Sequence, residues 1–123
     1  LVADAPPHAQ NYDAMVRQIQ AARTAGIRMY PVAASGTADE AEYIMRLSGV
    51  LTQGRYVFLT DDSGVGNPHA EPKTPCYVVT PLDRLITRII VSELAGTRAE
   101  PNQSEIYRMV GNYQNGVCVP SGQ

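Results

Sequence analysis

The first half of the chain alternates short apolar runs with segments of helical period. Three apolar runs predict strands, at residues 1–3, 27–34 and 55–60. Between them, residues 12–25 and 37–51 repeat apolar side chains at three- and four-residue spacing, which predicts two helices. Because parallel strands need helical crossovers, this alternation predicts an α/β fold with a mostly parallel sheet and flanking helices. Right-handed crossovers would make the three strands neighbours in chain order.

Side chains that cap helices mark where the helices begin. Asn11 is the expected N-cap of the first helix. Thr37 and Glu40 have the spacing of a capping box and predict the start of the second helix. Thr80 is the expected N-cap of a third helix, in which Pro81 takes the first position.

The second half of the chain begins with a long segment, 61–75, that is rich in Gly, Pro, Asp and Asn and predicts a loop. A short strand at 76–80 and a helix that ends before Gly96 follow. Arg84 and Arg88 are expected on the solvated face of that helix. Its buried face is expected to consist of apolar side chains at helical spacing: Leu82, Leu85, Ile86, Ile89, Ile90 and Leu94.

The pattern weakens after residue 96. Residues 104–110 are compatible with a short helix, and residues 111–123 have the composition of a tail or linker. We therefore expect an α/β domain over residues 1–96 and a C-terminal extension over residues 97–123.

Composition and charge remove several classes of function. The chain has 123 residues, of which 44% are hydrophobic and 18% charged, as expected for a folded domain rather than a disordered segment. The net charge is −2 and Lys and Arg do not cluster, so a nucleic-acid interface is not expected. The apolar runs are too short to span a bilayer, and no membrane span is predicted in this segment.

The two cysteines, Cys76 and Cys118, do not have the spacing of a metal motif. One interpretation is two independent thiols. The other is a disulfide that ties the C-terminal segment to the body of the domain, which would imply an oxidising compartment.

Polar side chains follow each of the first three predicted strands. They share one edge of a parallel sheet, where ligands of such folds bind: Asp4, His8, Ser35, Thr60, Asp61 and Asp62. Most of these are oxygen donors, which suit a hard divalent cation. Asp and Ser are also ordinary turn residues after strands. A separate metal site in the loop, from Asp61, Asp62, His69 and Glu71, is a further hypothesis.

Two stretches, ADAPPH and RYVFLTDDSG, carry a resemblance to a known family. Together with GIRMYPVAASG, they make residues 1–94 similar to the C-terminal half of a von Willebrand factor A (vWA)-like domain, most of all to the vWA-domain proteins of bacteria. The resemblance implies a Rossmann-like sheet that carries a metal-ion-dependent adhesion site, or MIDAS. It also implies that the chain is a fragment of a longer protein, which begins within the fourth strand of the domain.

In that family a DxSxS motif, a threonine and an aspartate after the fourth strand hold the metal. Asp4 matches the aspartate, whereas the DxSxS motif and the threonine loop are expected upstream of Leu1. Asp4 is therefore the principal candidate ligand, with Ser35 and Asp61 as weaker ones. The intact parent is expected to bind Mg²⁺ or another divalent cation, and this fragment alone to bind none.

The resemblance implies a binding module without a catalytic step. Its parent would mediate adhesion to a protein partner through the cation, with a bacterial cell envelope or extracellular location. The alternative is a metal-assisted hydrolase that uses Asp4 and His8 beside a bound ion.

Overall fold

The computed structural model describes residues 1–3, 5–34, 37–63, 71–115 and 117–119. They divide into two compact units, a first unit of residues 1–59 and a second unit of residues 60–119 within the described ranges. The chain is mixed α/β. In the part that is described, no helix has the length and apolar character needed to cross a membrane.

The first unit contains a parallel sheet of three strands, in the order β1-β2-β3. The strands are β1 (Val2–Ala3), β2 (Val32–Ala33) and β3 (Val57–Phe58), and the crossovers are helices α1 (Tyr12–Thr24) and α2 (Asp39–Leu51). The buried core of this unit combines Ile19 of α1, Ile44 and Met45 of α2 and Val32 and Val57 of the sheet. The predicted alternation, the parallel pairing and the strand order are therefore confirmed.

The strand predicted over residues 27–34 is much shorter in the structure. Two features explain where β2 begins. The N–H of Met29 donates to the hydroxyl of Thr52 at 2.9 Å, and Pro31 has no N–H to donate. The first N–H of β2 that donates to a neighbouring strand is therefore that of Val32, which bonds to the carbonyl of Leu1 at 2.7 Å, while the carbonyl of Pro31 accepts from the N–H of Val57 at 2.8 Å.

The turn after α2 depends on a close backbone approach at Gly54. A Cβ built at this position would overlap the carbonyl group of Met29. Glycine is therefore required because the two backbone segments leave no room for a side chain.

The helix starts in the first unit are partly as predicted. Helix α1 begins after Asn11, as expected, although the side chain of Asn11 makes no capping hydrogen bond. The capping box at the start of α2 is wrong: Ala38 occupies the N-cap position without a side-chain cap. The hydroxyl of Thr37 instead donates to the carbonyl of Ala34 at 2.6 Å.

The second unit contains one helix and two antiparallel strand pairs. Its elements are β4 (Tyr77–Val79), α3 (Leu82–Ala95), β5 (Arg108–Val110), β6 (Asn112–Gln114) and β7 (Val117–Val119). Strand β4 pairs with β5, and β6 pairs with β7. The short helix expected over 104–110 is wrong, because residues 108–110 form β5, and the expected tail contains the β6–β7 pair. The domain boundary at residue 96 stays a prediction.

A disulfide between Cys76 and Cys118 confirms the second interpretation of the two cysteines. The two Cα atoms lie 5.8 Å apart, within the usual range for this bond. Gly111 packs closely beside the bond, with a φ of +94°, and a Cβ there would overlap the carbonyl oxygen of Pro75. The disulfide therefore joins the start of β4 to the β6–β7 pair.

Helix α3 begins one residue later than predicted and buries less of its apolar face. Pro81, not Thr80, is the N-cap residue. Ile89 is buried, whereas Ile86, Ile90 and Leu94 are 37%, 54% and 85% exposed. The expected burial of these three is wrong. The described residues of the second unit bury two other large apolar side chains, Tyr77 and Val79, and so small a core cannot cover the whole face of α3.

Arg88 was expected in a solvated pair with Arg84, and this is wrong for Arg88. Its guanidinium donates to Glu105 and to the hydroxyl of Thr80, both at 2.8 Å, and only 14% of the side chain is exposed. Thr80 thus accepts a hydrogen bond from α3 instead of capping that helix. Arg84 is exposed, as expected, beside Asp83.

Candidate functional site

The structure describes one of the three principal residues of the predicted metal site. Asp4 and Ser35 lie outside the described residues. Asp61 is exposed and begins a 3₁₀ turn (Asp61–Ser63) that follows β3. The structure therefore does not test whether these three side chains come together. The metal site expected from Asp4, Ser35 and Asp61 at the edge of the parallel sheet, called the rim site below, stays a prediction.

Two other residues of the predicted rim have defined surroundings. His8 is exposed, and its backbone carbonyl accepts a hydrogen bond from the N–H of Asn11 at 2.8 Å. It thus precedes the 3₁₀ turn (Ala9–Asn11) that leads into α1. Thr60 is buried, with 4% of its surface exposed.

The best-defined group of ionisable side chains lies in the second unit and is organised by Arg108 of β5. We call it the Arg108 cluster; its other members are Asp62, Glu71 and Tyr77. The Nε of Arg108 donates to Asp62 at 2.6 Å and Nη2 donates to Glu71 at 2.6 Å. The hydroxyl of Tyr77 donates to the other carboxylate oxygen of Glu71.

The guanidinium of Arg108 also lies over the ring of Tyr77, with Cζ 5.7 Å from the ring centroid. Such a position allows a cation–π attraction in addition to the ion pairs. One cation therefore contacts two carboxylates and an aromatic face. It links both ends of the long loop, at Asp62 and Glu71, to the β4–β5 pair.

The electrostatics of the cluster follow from these contacts. The hydrogen bond from Arg108 to Asp62, with further bonds to Tyr77 and Glu71, raises the pKa of the guanidinium above its already high value. Burial raises the pKa of the Tyr77 phenol, and the hydrogen bond to Glu71 raises that pKa further. The cluster is thus fixed with Arg108 charged and Tyr77 neutral at ordinary pH.

These contacts weaken the hypothesis of a metal site in the loop. Asp62 and Glu71, two of its four proposed ligands, are paired with Arg108 in the structure. His69 lies outside the described residues. Within the described ranges, no group of three or more His, Cys, Asp or Glu side chains has a metal-binding arrangement. The Arg108 cluster is explained more directly by a structural role, in which Arg108 holds Asp62 and Glu71 together, than by ion binding.

Sequence reasoning missed Arg108 because the residue lay in a segment read as a possible helix. It is 46 positions from Asp62 and 37 from Glu71, so no local spacing signals the group. An alternating strand pattern is the signal that could have placed Arg108, but β5 is only three residues long.

No protein-family model, curated protein or solved structure matches this chain.

Proposed function

We propose that this chain is part of a vWA-like, Rossmann-like binding module whose intact form captures a protein partner through a divalent cation. The observation that carries the proposal is the three-stranded parallel sheet in the order β1-β2-β3, with α1 and α2 as crossovers. Folds of this type bind ligands beside the carboxyl ends of their strands. Asp4 follows β1 and Asp61 follows β3 along the chain.

The chemistry of the proposed module is coordination without catalysis. Mg²⁺ prefers about six oxygen ligands in near-octahedral geometry and loses its water reluctantly. Asp4 would contribute one carboxylate, with Ser35 and Asp61 as further candidates. A cation that keeps one exchangeable position can then accept an acidic side chain of the partner.

The disulfide supports a location outside the cytoplasm. Bonds of this kind persist in oxidising compartments and are rare where thiols are kept reduced. Cys76–Cys118 is therefore consistent with the cell envelope or the extracellular space.

The first test is to read the codons that precede Leu1 in the gene. The proposal requires a DxSxS motif there, followed by a threonine in a later loop. A different set of metal ligands would instead favour the hydrolase that uses Asp4 and His8.

The second test is calorimetry with Mg²⁺ and Mn²⁺ on two proteins, the 123-residue chain and a chain extended through those upstream codons. We expect no measurable binding by the shorter chain and clear binding by the longer one. In the longer chain, Asp4→Ala should weaken both cation binding and partner capture.

Asp13→Ala is the matched control, because Asp13 is an exposed acid in the first turn of α1. This variant should bind the cation as the unaltered chain does. Tight Mg²⁺ binding by the 123-residue chain, or unchanged binding after Asp4→Ala, would show that the site is placed wrongly.

A further inference from the structure

A groove of about 500 Å³ lies between α1 and α2 in the first unit. Its volume is within the range of small-molecule sites, roughly 300–1,000 Å³. The apolar part of its lining comes from Val16 of α1 and from Ile44 and Leu47 of α2. Apolar lining with a few polar groups is the usual composition of a ligand site.

The polar and aromatic lining is concentrated at one end of the groove. Tyr12 is the first residue of α1, and Asp39 and Glu40 are the first two of α2, with Tyr43 one turn further on. Both helices follow strands of the parallel sheet, so this end lies beside the carboxyl ends of β1 and β2. Ligands of open parallel sheets bind on this side.

The charges that line the groove are negative. Asp39 and Glu40 are exposed carboxylates, and no basic residue is present among the described lining residues. The N-terminus of α2 opposes them, because the helix dipole places about half a positive charge there. Glu40 contributes a full negative charge, which outweighs that half charge, so a cation is favoured over an anion.

Two tyrosine rings make this end suitable for a particular kind of cation. Tyr12 and Tyr43 both line the groove, and Tyr43 is 66% exposed. The faces of aromatic rings attract alkylated ammonium groups, which are weakly hydrated and lose little solvation on contact. A metal cation is disfavoured, because the side chains that line the groove offer two carboxylates and two phenol oxygens, fewer than the about six oxygen ligands that Mg²⁺ prefers.

We propose that the α1–α2 groove binds a small alkylammonium compound, with its ammonium head at Glu40 and Tyr43 and its alkyl chain along Val16, Ile44 and Leu47. This site is independent of the proposed metal site, since it uses none of the residues assigned to the cation. The ligand is a free small molecule with a permanent positive charge and an apolar chain.

The test compares three compounds with the same alkyl chain: hexyltrimethylammonium, 1-hexanol and hexanesulfonate. Titrations followed by ¹H–¹⁵N NMR give both the affinity of each compound and the location of its binding site in one experiment. For a ligand of this size we expect a dissociation constant on the order of millimolar. The ammonium compound should bind at least about threefold more tightly than hexanol, and the sulfonate more weakly than either. The largest shifts should be those of Tyr43, Ile44 and Leu47.

Two variants separate the charge from the apolar contact. Glu40→Gln should weaken binding of the ammonium compound about two- to fivefold, as for other exposed charge pairs, and leave hexanol unchanged. Tyr43→Leu keeps the apolar surface but removes the ring, and a loss of similar size is expected for the ammonium compound alone. Added salt should also weaken binding of the ammonium compound to the unaltered chain, because it screens the attraction between the ammonium group and Glu40.

Asp83→Asn is the matched control, because Asp83 is an exposed acid in the first turn of α3. It should not change binding of any of the three compounds. The proposal would be overturned if the three compounds bound with equal affinity, if the sulfonate bound most tightly, or if the ammonium compound did not bind. It would also be overturned if the NMR shifts lay outside the groove. Glu40 is exposed, so Glu40→Gln tests the charge even if Tyr43→Leu does not fold.

Discussion

Removal of the Cys76–Cys118 bond is expected to destabilise the second unit more than any other change to this chain. The bond closes a loop whose ends are 42 positions apart. In the chain-entropy description, a loop of this length lowers the entropy of the unfolded state by an amount worth about 4 kcal/mol. Small domains are stable by roughly 5–15 kcal/mol in total. Loss of the bond should therefore cost much of the stability of this unit.

Two perturbations remove the bond in different ways. One is the double variant Cys76→Ala, Cys118→Ala, and the other is addition of a thiol reductant to the unaltered protein. The reductant should have no effect on the double variant, which controls for its action elsewhere. Agreement between the two perturbations would separate loss of the crosslink from changes in local packing.

Hydrogen exchange of the β4 and β5 amides is the most direct assay, because their protection reports opening of the second unit. A loss of about 4 kcal/mol corresponds to exchange that is several hundredfold faster for the most protected amides. Urea denaturation should give the same loss in free energy of unfolding. A loss below about 1 kcal/mol by both methods would refute the loop-closure argument.

Three further predictions follow from contacts in the two units. Gly54→Ala should destabilise the chain by about 1–3 kcal/mol in urea denaturation, because the new methyl group would overlap the backbone of Met29. The pKa of Tyr77 is raised above 10.0 in the folded state, so unfolded chains lose this proton first and stability should fall as pH rises above about 10. Tyr77→Phe should make that fall shallower. Arg88→Met and Glu105→Gln should each cost about 1–3 kcal/mol, and the double variant less than their sum.

Exposed residues supply the controls for these variants. Arg98→Met and Glu100→Gln break an ion pair whose side chains are 67% and 65% exposed, and each should change stability by less than about 1 kcal/mol. A coupling energy near zero between Arg88 and Glu105 would contradict the ion-pair prediction. The pH prediction would be wrong if Tyr77→Phe left the fall of stability with pH unchanged. The close-approach argument would be wrong if Gly54→Ala had normal stability.

The first unit could be predicted from the sequence because its signals are local. Apolar spacing identified α1 and α2, and apolar runs identified the three parallel strands. The extent of β2 could not be predicted, since it depends on the hydrogen bond from Met29 to Thr52, which joins residues 23 positions apart. The start of α2 was misjudged because the hydroxyl of Thr37 bonds backwards to Ala34.

The second unit was predicted less well because its strands are short and its contacts are distant in sequence. Strands β5, β6 and β7 have three residues each, too few for an alternating pattern to be recognised. The Arg108 cluster depends on pairing across the long loop. For the rim site, the sequence indicates Asp4, Ser35 and Asp61 as candidates, but their convergence depends on loop conformations that carry no periodic signal.

The covalent loop has a consequence for limited proteolysis. All of α3, β5 and β6 lie between Cys76 and Cys118. The exposed residues 96–98, which follow α3, are within the same loop and offer a protease an accessible backbone. A cut there leaves both pieces joined through sulfur, so the nicked protein migrates as one species on a non-reducing gel and as two after reduction. Intact mass on a non-reducing gel is therefore no evidence that this backbone is whole.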